Sequence, residues 1–204
     1  MLRRAVITVL FVALVAQAEP LDRIAVSIGT HVITESALVL DLRVSAFLER
    51  GPVDLSPAAK RRSAERLTEQ VLILREATDS HLALPSSQSA TALLDQVKKD
   101  YGPPEEYQAA LVRYGIEESD VAAQLLSGLI GITFTDLRFR PAVQIPEEDL
   151  RAYYGKLNGE VTFEASRSQI EDILTRQRTT EALDQWLVTA RAAANVQFRE
   201  QVFR

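Results

Sequence analysis

Two histidines and two acidic clusters are the residues of this chain with the most obvious capacity for chemistry. His31 follows a Gly29-Thr30 turn and His81 lies near a predicted helix end, and neither has a second histidine at ligand spacing. Cysteine is absent, which removes disulfides, thiol catalysis and thiolate metal sites. Glu117-Glu118-Ser119-Asp120 and Glu147-Glu148-Asp149 resemble paired carboxylates. Both fall in predicted first helical turns, where the helix dipole favours anions, and that accounts for them without catalysis. Lys60-Arg61-Arg62 reads as a solvated helix face. The sequence has no glycine-rich phosphate loop, nucleophile elbow or zinc motif. Neither cofactor nor metal is expected, and no residue pattern points to an enzyme.

The elements around these residues must therefore carry the function through shape and apolar surface. The chain has 204 residues, 47% hydrophobic and 25% charged, enough for one domain, or one plus a small appendage, with an ample core. A formal charge of -5 gives a nucleic-acid partner no electrostatic support. Arg3 and Arg4, the apolar run Ala5 to Val15, and Ala16-Gln17-Ala18 form a signal-peptide pattern, so residues 1–18 are expected to be cleaved off after Ala18. A retained membrane anchor is the alternative. A span needs about 20 apolar residues, however, and Glu19-Pro20 and Asp22 follow at once. Cleavage takes the charge from -5 to -7 and leaves an acidic exported domain over 19–204 with no stable membrane insertion.

From Asp22 onward the pattern is mainly α. Ile24 to Ile28 and His31 to Ile33 form a predicted hairpin, with Gly29 opening a type II′ turn. Thr34 caps a helix to about Glu49, ended by Gly51-Pro52. Ser56-Pro57 opens a second helix to about Ser80, with Leu67, Val71, Leu74 and Thr78 expected on its inward face. Further helices run to Tyr101 and to Tyr114, and a short one starts at Glu147. The helix from Glu117 to Leu137 is apolar nearly all round, which predicts either a buried core helix or one lining a site for apolar material. No Pro or Gly interrupts Val161 through Arg204, and helix formers dominate from Glu164 to Ala194, which predicts one long helix; Asn195 stops it, and Val196 to Phe198 forms a terminal strand. A lone hairpin is marginal, so this strand should join it and bring the two ends together. Ile170, Ile173 and Leu174 share one face of the long helix, whereas Leu183, Trp186, Leu187 and Ala190 lie roughly opposite. Either a bend at 177–180 or two halves packing on different partners should follow.

This order of elements resembles the N-terminal peptide-binding domain of the SurA-like periplasmic chaperones, related in fold to the chaperone region of trigger factor. The residues carrying the likeness are Ile24-Ala-Val-Ser-Ile-Gly-Thr-His-Val-Ile-Thr, Arg62 through Leu74, Ile145-Pro-Glu-Glu-Asp-Leu-Arg-Ala-Tyr-Tyr, Phe163 through Leu174 and Trp186 through Val196. The resemblance implies a single helical domain, with a core over 34–157 completed by a C-terminal helix and strand over 161–204. The family's parvulin prolyl-isomerase domains would lie between the Ile145 helix and Phe163. Only the eight residues Gly155 to Thr162 stand there, no histidine follows His81, and no Gly-Gly pair occurs.

The resulting expectation is a non-enzymatic periplasmic chaperone that binds unfolded or extended polypeptide clients, in outer-membrane or envelope protein biogenesis. Leu129, Phe134, Leu137 and Phe139, towards the end of the apolar helix, are the candidate peptide-binding residues. An adaptor domain with one fixed peptide or helix partner, or a residual peptidyl-prolyl isomerase, are the alternatives.

Overall fold

Apolar residues with high strand propensity make Ile24–Ile28 (β1) and His31–Thr34 (β2) the paired arms of a hairpin in the computed structural model, which describes residues 22–157 and 162–204. The leader read at 1–18 and part of the linker before Phe163 lie outside the described residues. Gly29 alone of the two turn residues takes a positive φ, 58°, as the first position of the expected turn does. Val196–Phe198 (β3) pairs antiparallel with β1, Val26 opposite Phe198 and Ile28 opposite Val196. The sheet order is β2-β1-β3, so the N- and C-terminal segments meet there as anticipated.

Seven α-helices complete the described residues: Glu35–Glu49 (α1), Pro57–Asp79 (α2), Ser87–Tyr101 (α3), Pro104–Tyr114 (α4), Glu118–Arg138 (α5), Glu147–Tyr154 (α6) and Phe163–Ala193 (α7). Local chemistry sets their ends. The Thr34 and Ser56 hydroxyls accept the amides of Ala37 and Ala59 at 3.4 and 3.2 Å. Gly115, with φ 64°, closes α4, and the amide of Ile116 reaches back to the Leu111 carbonyl at 3.1 Å. That bond swings Ile116 onto Leu111 in the core. At the end of α1 the left-handed position falls to Arg50, φ 55°, one residue before the expected stop at Gly51. None of the described helices is long and apolar enough to cross a membrane.

Three apolar clusters hold these elements together. The first joins the hairpin to Leu38, Leu72, Leu187 and Val202. A second gathers α1, α3 and α4 around the fully buried Phe47, whose ring meets Tyr101, Tyr107 and Tyr114 at 4.6, 5.8 and 5.7 Å. The third is Ile73, Ala77, Phe134 and Phe139, with Trp186 against it. The central helix is α2, which touches the sheet, α1, α5 and α7.

Two expectations change. On α2 the fully buried residues are Ala59, Ser63, Ala64, Thr68, Leu72, Ile73 and Ala77. Leu67 and Val71 are only half-buried, and Leu74 and Thr78 are exposed. Small residues face inward because α1 and the sheet approach α2 closely there, and the larger aliphatic residues are displaced outward. Of the two alternatives expected for α5, the buried core helix fails: only Val121 and Phe134 are fully buried, while Ile132 is 64% exposed.

The long helix α7 is unbroken, and its two halves have different partners. Its first half lies along α6, with Phe163 on Tyr154 at 5.4 Å and Arg178 binding both Asp149 and the Gln144 carbonyl. The second half presents Leu183, Trp186, Leu187 and Ala190 to the hairpin core.

Candidate functional site

The exposed apolar surface of α5 borders two clefts. One, with a volume of about 510 Å³, lies between α5 and α7, walled by Ile73, Gly128, Ile132, Thr135, Thr179 and Leu183. The other, about 290 Å³, lies between β2, α2 and α5, walled by Val32, Leu67, Val71, Leu74 and Ile130. Ile73 and Gly131 border both, so the clefts adjoin across α5. The side of α2 expected to face the core therefore forms a wall of the second cleft.

Sequence patterning gives α5 this position. Glu117 and Asp120 form a reciprocal capping box, the Asp120 carboxylate accepting the Glu117 amide at 2.8 Å. Val121 then enters the α1–α4 core and Phe134 enters the Trp186 core, which fixes both ends of the helix. Between these anchors stand Gly128 and Gly131, and apart from the adjoining residues and the helix's own backbone no described atom lies within 4 Å of where a Cβ would be at either. Glycine inside a helix costs about 1 kcal/mol relative to alanine. Packing within the described fold does not require either one.

The four candidate residues are distributed differently from expectation. Phe134 and Phe139 form an aromatic trio with Trp186, at 5.7, 5.1 and 6.2 Å, and are closed into the core. Leu129 is half-buried and Leu137 is exposed, and neither lines a cleft. The walls are instead neighbours in sequence: Gly128, Ile130, Gly131 and Ile132. Two glycines in the middle of a strongly helical run were the available signal.

The polar residues first considered for chemistry have structural partners. Glu118 pairs with Lys98 at 2.7 Å, Glu147 with Arg151 and Arg167 at 2.8 and 2.7 Å, and Asp149 with Arg178. His81, with φ 53°, takes the left-handed position after α2. His31 is exposed on β2 at the rim of the second cleft. The Lys60-Arg61-Arg62 run is more than a solvated face. Lys60 binds Glu35 at 2.6 Å and holds that carboxyl below its usual range. Arg61 stacks over Phe198 at 4.1 Å and binds Glu200 at 2.8 Å, tying α2 to the C-terminal segment.

Apolar periodicity gives no sign of Asp41, a carboxylate buried on α1. The Asp41 carboxylate accepts from Ser63 Oγ at 2.5 Å and from Arg66. Ser45, beside it, receives Gln124 of α5 at 3.1 Å, so this network links α1, α2 and α5. No protein-family model, curated protein or solved structure matches the chain.

Proposed function

We propose that this chain is an exported, non-catalytic, chaperone-like domain of the periplasm that holds unfolded or extended polypeptide segments, with envelope or outer-membrane proteins as clients. The single observation that carries this reading is the pair of adjoining apolar clefts on either side of α5. Concave, mostly apolar surface of this size suits side chains of a partner. Each aliphatic side chain buried there contributes about 1.5–3 kcal/mol. Five or six such anchors along one extended segment, less about 4 kcal/mol or more for association, would leave affinities on the order of micromolar. That strength lets a client be held and released, and it opposes aggregation by mass action on the unfolded state. The likeness of the element order to the SurA-like chaperones supports the same reading, as does the signal-peptide pattern at residues 1–18.

The test is light scattering after dilution of a urea-unfolded outer-membrane protein into buffer with increasing amounts of this domain. Scattering should fall by at least half at a few-fold molar excess. Undiminished scattering at such excess would refute the proposal. A protease-coupled prolyl-peptide assay on the same sample should show no acceleration, and a clear acceleration would overturn the non-catalytic reading.

A further inference from the structure

We infer that the cleft between α5 and α7 selects client segments in which aliphatic residues alternate with carboxylates, the client backbone passing over Gly128 and Gly131 and its acidic groups meeting Arg140 and Arg176. This rests on the client-holding reading and adds a substrate class to it. The walls supply few hydrogen-bond donors. Thr135, Thr179 and Thr180 donate to carbonyls one turn back on their own helices, at Gly131, Thr175 and Arg176, with distances of 2.8, 2.7 and 3.0 Å. The charged donors left at the rim are guanidinium groups. Arg140 faces Asp136 loosely at 3.7 Å, and Arg176 makes no ion pair among the described residues. Two guanidiniums against one carboxylate give this rim a positive balance on a chain of net charge -5. An occupant with carboxylates beside its apolar side chains complements that rim, and a cationic one does not.

The other cleft differs in a consistent way. Its lining residues include no Asp, Glu, Lys or Arg, so it fits an apolar side chain of the same segment. The bare backbone at Gly128 and Gly131 allows a client main chain to lie close to α5 where the two clefts join.

Fluorescence anisotropy with two short labelled peptides tests this, one alternating leucine with aspartate and the other leucine with lysine. The leucine-aspartate peptide should bind about tenfold tighter at low salt, and Arg176→Glu should abolish that preference. Gly131→Ala should raise the melting temperature by about 2–4 °C, since it improves helix propensity with no clash. Gly131→Leu should weaken both peptides about tenfold while the domain stays folded. Equal binding of the two peptides, or unchanged binding by Gly131→Leu, would overturn the inference. If unfolded protein is kept from aggregating yet neither peptide binds, the inference fails and the chaperone reading stands. If neither activity is seen, both fail.

Discussion

At the scale of single residues, buried polar groups determine how the helices dock. Asp41 is enclosed between α1 and α2 with Ser63 and Arg66 as its donors. Removing the carboxylate leaves the buried Ser63 hydroxyl only its longer bond to the Leu38 carbonyl, at 3.4 Å, and Arg66 only Ser45, at 3.5 Å. Asp41→Ala should therefore cost about 1–3 kcal/mol, measured by urea titration of the Trp186 fluorescence. Trp186 is the only tryptophan, so the signal reports on one site. Tyr107 makes a different prediction. Burial, with the Glu118 carboxylate beside it, pushes its phenol up to about 12, and burial raises Tyr101 as well. A folded value above the ordinary 10 means the stability is fully present below about pH 10 and is lost as pH rises through 12. Melting temperatures between pH 9 and 12 should fall, and Tyr107→Phe should flatten the fall. An equally steep fall in the variant would assign the alkaline loss to other groups.

At the scale of elements, α5 is held at its ends and open in its middle. Its end anchors are Val121 and Phe134, and its middle is Gly128 to Ile132. Trp186→Ala would remove the ring against which Phe134 and Phe139 pack. It should cost about 3 kcal/mol or more and loosen the C-terminal end of α5 first, visible as faster amide exchange there. Helix boundaries were readable because capping residues announce them: Thr34, Ser56-Pro57, Gly115 and Asn195 all act where their chemistry places them. The opposite faces of α7 were readable too, since 100° spacing puts Trp186 about 160° from Ile170. Which face of α5 stays open was not readable. A helix apolar nearly all round has no polar stripe to orient it, and the choice is made by Trp186, about fifty residues later in the chain.

At the scale of the molecule, the hairpin and the C-terminal segment stabilise each other. β3 pairs with β1, Arg61 clasps Phe198, and Val202 enters the hairpin cluster. Truncation before Asn195 would uncover that cluster and should abolish cooperative unfolding in urea. The sheet could be inferred because isolated strands need partners. The clefts could not, because they arise only where β2, α2, α5 and α7 converge. Absence of cysteine makes the central claim directly accessible, since a single introduced thiol can carry a photo-crosslinker. Ile132 at the α5–α7 cleft and Val188 on α7 outside both clefts are similarly exposed, 64% and 68%. Irradiation of each crosslinker-labelled variant, Ile132→Cys and Val188→Cys, with an unfolded outer-membrane protein compares cleft with ordinary surface. Strong crosslinking from position 132 and little from 188 is expected. Equal yields from the two positions, or none from 132, would contradict client binding in the clefts.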